Sequence, residues 1–206
     1  MNGKKTYHHG DLRQALVEEA IALIAEKDVS SLSLREVARR IGVSHAASYR
    51  HFEDKEALLA AVAEEGFMGL TKALNAALAT AASHPLRRLE ASGVGYVQYA
   101  IAYPSHYRVM FGAYGSNPDK YPSLKKSGQQ SFGILVNVVE EGQAAGAICP
   151  GEPKQLAWVA WSLVHGLAML LIDGQLPLFN RGEVENLANF VTQTLVKGLG
   201  VVERSH

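Results

Sequence analysis

A chain of 206 residues, 48% of them apolar, is long enough to bury one large core or two smaller ones. Lysine plus arginine equals aspartate plus glutamate at 20 each, which excludes a general basic coat, so any nucleic-acid footprint must be local. The single cysteine, Cys149, excludes an intramolecular disulfide and cysteine-rich zinc sites and fits a reducing compartment. No N-terminal stretch reads as a signal peptide and no apolar run approaches the roughly 18 residues of a membrane span, so the expectation is a cytoplasmic protein with no membrane partner.

The first ten residues carry Lys4, Lys5, Thr6, His8 and His9 and read either as a basic arm for phosphates or the minor groove, or as a disordered tail. The adjacent histidines have no Cys, Asp or Glu at ligand spacing, so no metal is expected. Asp11 is placed to cap a helix over about 12–27, with Leu12, Leu16, Ala20, Leu23 and Ile24 as its inner stripe. Ser33 and Glu36 have capping-box spacing ahead of a second helix. There Leu34, Val37, Ala38 and Ile41 recur at three and four, leaving Arg35, Arg39 and Arg40 toward solvent or phosphate.

Gly42 supplies a turn, and Ser44 can cap a third helix over about 45–52, anchored by Tyr49 and Phe52. Ala46, Ala47 and Ser48 are small enough for close approach to base edges or phosphates, while His45, Ser48, Arg50 and His51 offer polar contacts. Two short helices around a tight turn, about 33–52, make a helix-turn-helix, and double-stranded DNA is the partner it implies. Between Arg35 and His51 four arginines stand against one glutamate, a local excess of three positive charges that focuses the footprint.

This stretch resembles the TetR family of transcriptional regulators: Leu34, Val37, Ala38, Gly42, Val43, Ser44, Tyr49, His51, Phe52, Lys55 and Leu58 sit on the family's pattern. It departs at Ala46, Ala47 and Ser48, where many members have Gly-Thr followed by Leu or Ile. The resemblance implies that Tyr49 and Lys55 contact phosphates and that His45 to Ser48 face the groove. With the flanking polar residues, the DNA-contact set is Arg35, Ser44, His45, Ala46, Ser48, Tyr49, His51 and Lys55.

Past Lys55 the pattern becomes long and helical, so the expected division is an N-terminal domain over 1–56 and a C-terminal helical domain over 57–206. Helices are expected over about 54–82, 86–103, 106–112, 123–145, 154–173 and 182–198. Pro104 ends one of them, Gly115, Asn117, Pro118 and Pro122 form a loop, and Gly146 through Pro153 a connection. No segment alternates with a period of two, so the fold class is all-α.

In the late helix Trp158, Trp161, His165, Ala168, Met169 and Ile172 form a broad apolar face, and Trp161, His165 and Gly166 resemble a TetR subgroup named for a Trp, His and Gly pattern. Pro104 to Gly112 resembles the same subgroup. Tyr96, Tyr99, Tyr103, Met110, Phe111, Phe132, Trp158, Trp161 and His165 are the aromatic and soft residues that would line a cavity for a small apolar or flat aromatic effector, although core packing would use them equally. The resemblance also implies a homodimer through the last two helices, with Ala168, Ile172, Leu187, Phe190, Val191, Thr194 and Leu195 as its stripe; a monomeric core would show the same spacing. Such a dimer would read a near-palindromic operator, most often as a repressor. Glu64 with Glu65 and Glu140 with Glu141 read as solvated surface, and no catalytic constellation appears, so neither an enzyme nor a cofactor is expected. The competing reading is a helical protein-interaction scaffold.

Overall fold

The computed structural model describes residues 9–112, 119–177 and 180–200. Among them are α1 (His9–Glu26), α2 (Leu34–Arg40), α3 (His45–Tyr49), α4 (Lys55–Thr80), α5 (Pro85–Ala102), α6 (Pro104–Met110), α7 (Pro122–Ala144), α8 (Pro153–Ile172) and α9 (Arg181–Leu199), with a 3₁₀ turn at Val29–Ser31. No strand occurs among the described residues, and Ile148 with Gly200 forms an isolated antiparallel bridge. The fold is all-α, as the absence of two-residue alternation requires. The basic arm at Lys4, Lys5, Thr6 and His8 and the loop residues Gly115, Asn117 and Pro118 lie outside the described residues.

Short polar residues and prolines set the helix starts. Asp28 caps the 3₁₀ turn by accepting the Ser30 N–H at 3.0 Å. His84 and Glu152 cap α5 and α8, each followed by a proline in the first turn. Proline has no N–H to lose there and its φ already suits a helix. Pro104 and Pro122 likewise open α6 and α7. Residues expected to end helices or sit in connections therefore begin them. Asn180 and Glu183 form a reciprocal capping box at α9 that the sequence reading passes over. Asp11 lies inside α1, which already starts at His9, and so is not its N-cap.

The chain divides into two compact units, one of residues up to Phe67 with Pro104–Lys126, the other of Met68–Tyr103 with the residues from Ser127 onward. This differs from the expected boundary after residue 56, because α6 joins the first unit. Tyr107 and Val109 of α6 are buried, and Gly66 of α4 makes room for Met110, since a Cβ there would fall 2.8 Å from Met110 Cγ. In the second unit α5 packs on α8 and α9. A core of Leu89, Val138, Val139, Ile148, Ala157, Ala160, Val196 and Leu199 fills this unit.

Helix α8 is long and apolar enough, by length and composition alone, to cross a membrane, which corrects the expectation that no stretch approaches this. Ser162, His165 and Gly166 break the literal apolar run without lowering the average enough. One side, with Ala157, Ala160, Val164 and Ala168, is buried, while Trp158, Val159, Leu163 and Leu170 are exposed. A helix apolar on all sides ordinarily has cover on all sides. Here 28% of its most apolar 18-residue window is buried.

Candidate nucleic-acid interface and effector site

The turn between α2 and α3 is built from three local devices. Ser33 accepts the Glu36 N–H at 3.2 Å and Ser44 the Ala47 N–H at 3.2 Å, so each short helix has a side-chain N-cap. Gly42 takes φ of +74°, where an L side chain is strained. Val43 N–H then returns to the Ala38 carbonyl at 3.0 Å. The expected Ser33–Glu36 box is half made: the Glu36 carboxylate turns to Lys27 at 2.7 Å, which holds it below the ordinary carboxylate range.

Helix α3 presents His45, Ala46 and Tyr49 outward. The Tyr49 ring is 48% exposed and meets His45 edge-on at 4.6 Å between centroids. Tyr49 is therefore not an anchor; Phe52 is, buried with the Arg13 guanidinium 5.2 Å above its ring. Arg35, Arg39 and Arg50 are exposed and make no ion pair among the described residues. Arg40 is committed elsewhere, 2.7 Å from Glu19 and 2.6 Å from Glu26. Its hydrogen bond holds the Glu26 carboxyl below the usual range.

Two expected contacts are placed differently. Ser48 is fully buried and donates its hydroxyl to the His45 carbonyl at 2.8 Å, so it does not face a groove. Lys55 donates to the Ser30 carbonyl at 2.7 Å, and burial draws its ammonium below the ordinary lysine value. Beside it, Asp54 caps α4 through the Ala57 N–H at 2.7 Å, the bond that chiefly lowers its carboxyl pKa. The half-buried ring of His51 lies on the turn after α3.

The expected effector residues fall into three groups. Tyr96, Phe132, Trp161 and His165 come together in the second unit. Trp161 Nε1–H donates to the Tyr96 hydroxyl at 3.0 Å, and that hydroxyl lies 2.9 Å from His165 Nδ1. Trp161 is 6.0 Å from Phe132 and 5.3 Å from His165 between ring centroids. Burial pulls the His165 pKa down, favouring the neutral ring. Tyr99 is buried against the exposed Tyr103 at 4.9 Å, and Trp158 is exposed with Lys154 Nζ 5.3 Å from its ring centroid. Met110 and Phe111 belong to the first unit, where Phe111 packs on Phe67 and Tyr107. An open groove of about 320 Å³ lined by Ala77, Thr80, Arg87, Glu90, Val94 and Gln98 holds none of the expected effector residues. Among the described residues no cluster of His, Cys, Asp or Glu could hold a metal.

Of the expected dimer stripe, Phe190 is 67% exposed and Thr194 is exposed, while Leu187, Val191 and Ile172 are half-buried. Ala168 is fully buried and Leu195 packs against the core of its own unit, so these two are internal. The residues overlooked are Val159, Leu163 and Leu170 on the exposed side of α8.

Residues 16–62 match the bacterial regulatory proteins of the tetR family, and residues 89–195, more than half of the chain, match the tetracyclin repressor-like C-terminal domain. The chain belongs to the TetR family. A protein of unknown function from Rhodococcus sp. RHA1 is 37% identical over 96% of this chain and 100% of its own, with a TM-score of 0.83. A bacterial regulatory protein in the tetR family from Rhodococcus RHA1 has the same fold, with a TM-score of 0.75 at 21% identity over 93% of this chain and 98% of its own. A 70-residue stretch is 46% identical to an HTH-type transcriptional regulator of Haemophilus influenzae, covering 33% of this chain and 34% of that protein, so the match spans about a third of the length of this curated relative.

The TetR match runs through the helix-turn-helix and into α4, and it is the capped geometry of α2 and α3 that the pattern of small and polar residues encodes. The inward turn of Ser48 carried its own signal: it stands four residues before the buried Phe52, whose N–H returns to the Ser48 carbonyl at 3.0 Å.

Proposed function

We propose that this TetR-family chain is a sequence-specific DNA-binding transcriptional regulator of the cytoplasm, acting as a homodimer and most often as a repressor released by a small apolar or aromatic effector. The observation that carries the DNA reading is α3 itself. It is a capped helix with His45, Ala46 and Tyr49 outward, flanked by the exposed arginines 35, 39 and 50. Arginine on phosphate fixes register, and side chains on the helix face supply base contacts.

A helix of five residues reads few base pairs, so specificity calls for two copies, with half-sites roughly one helical turn (~34 Å) apart. The exposed apolar side of α8, together with Phe190 on α9, supports the second copy as its cover. The group formed by Tyr96, Phe132, Trp161 and His165 supports an effector with an apolar body and one hydrogen-bonding end. Helix α4 contributes residues to both compact units, so an effector that shifts it would change how α3 is presented.

The test is selection on randomised duplex DNA followed by fluorescence-anisotropy titration at several salt concentrations. A regulator enriches a near-palindrome, with about 0.9 log units of affinity lost per log of salt for each phosphate neutralised. Tyr49→Ala should cut affinity about tenfold with the melting temperature unchanged, because the ring is half exposed and carries little of the core. Weak binding without enrichment would sink the proposal.

A further inference from the structure

Three residues that follow α5, Lys120, Ser123 and His106, bind acidic residues on and just before α4. Lys120 Nζ lies 3.1 Å from Asp54 Oδ2 and 3.2 Å from Glu56 Oε2. Ser123 donates to Glu64 Oε2 at 2.9 Å, and His106 Nε2 lies 3.5 Å from Glu65 Oε1, which brings α6 onto the same helix. Glu64 and Glu65, read from sequence as plain surface, thus join Asp54 and Glu56 in holding residues distant in sequence onto α4.

Lys120 acts at the point where α3 is held. Only residues 50–54 separate the end of α3 from the start of α4, and within them Phe52 is buried. Asp54 uses one oxygen to cap α4, through the Ala57 N–H, and the other to receive Lys120. The Lys120 ammonium is shared by two carboxylates and lies 5.2 Å from the centroid of the neighbouring Tyr121 ring. We infer that Lys120 is a positioning residue for DNA reading: by bridging Asp54 and Glu56 it fixes the first turn of α4 and, through residues 50–54, the pitch of α3, without itself touching DNA.

This inference rests on the DNA-binding reading, and two measurements separate its failure from the failure of that reading. The first is affinity of the full chain, Lys120→Met and Lys120→Arg for the selected duplex across a salt series. Lys120→Met should bind about fivefold more weakly with an unchanged salt slope, and Lys120→Arg should restore binding. The second is amide hydrogen exchange over residues 45–58 without DNA, which Lys120→Met should speed and Lys120→Arg should not. Glu56→Gln keeps the lysine charge and removes one bridge, so it should speed the same amides to a smaller degree.

A slope lower by about 0.9 in Lys120→Met would mean that Lys120 contacts phosphate directly and would overturn the positioning role. Unchanged affinity with unchanged exchange would show that the bridge holds nothing, and would overturn it too. If the parent chain enriches no duplex, the DNA reading falls and the positioning role with it. Faster exchange in Lys120→Met would then show only that the bridge fixes the start of α4.

Discussion

The two compact units are held together by different chemistry. In the first, α2 and α3 have seven and five residues. Helices that short propagate too few hydrogen bonds to offset their nucleation. Their form comes from side-chain caps at Ser33 and Ser44 and from ion pairs such as Lys27–Glu36 and Arg40 with Glu19 and Glu26. In the second, long helices interlock through Leu89, Val138, Val139 and Val196. Two of its buried hydroxyls are satisfied close to home, Ser92 by the Leu89 carbonyl and Thr192 by the Ala188 carbonyl. A region that must present a surface fixes its backbone with polar groups at the rim, whereas a region that must form a core relies on burial.

The sharpest way to separate the two is Leu89→Ala, which removes a fully packed side chain from the second core. It should cost about 2–5 kcal/mol in urea or guanidinium unfolding, nearly independent of salt. A cost below about 1 kcal/mol would mean that this core collapses around the void and is less rigid than its packing suggests. Ser44→Ala, which removes only the cap of α3, should cost about 1 kcal/mol. Its effect should be concentrated in amide exchange of residues 44–50, with the second unit untouched. Loss of protection throughout both units would erase the contrast drawn above.

The smallest and most selective difference is in pH. Burial lowers the His165 pKa, so the unfolded chain binds the proton more readily. The stability held by a neutral His165 is therefore complete above about pH 6.5 and declines as pH falls below it. Asp54 is shifted down by its cap to Ala57, so its contribution is present above about pH 3.9 and is lost only as pH falls through its lower folded value. Trp161 fluorescence should respond in the first window, while amide signals of residues 54–58 should change only in the second. A His165→Gln variant should flatten the first window. A single transition reported by both probes would contradict this ordering.

The helix-turn-helix was legible because caps and turns are local: Ser33, Gly42 and Ser44 each act within a few residues. Helix starts were misplaced by one or two residues where a proline occupies the first turn, since the same residue also signals a break. Ala168 could have been assigned inward from its four-residue spacing to Ala160 and Val164. The effector set was the least legible part. A list of aromatics carries no distances, so Met110 and Phe111 could not be told from Tyr96, Trp161 and His165, although they fall in different units. Nothing local to Lys120 indicates that its partners lie more than sixty residues away.

The bridge between Ile148 and Gly200, with the Cys149 N–H donating to the Leu199 carbonyl at 2.9 Å, ties the connection between α7 and α8 to the far end of α9. During synthesis on the ribosome, residues 148 and 149 therefore wait for some fifty more residues before their partners exist. The first unit lacks none of its parts once Lys126 has emerged. Vectorial synthesis thus favours a nascent chain in which the DNA-reading unit forms early and the second unit is closed last, by α9 and its bridge.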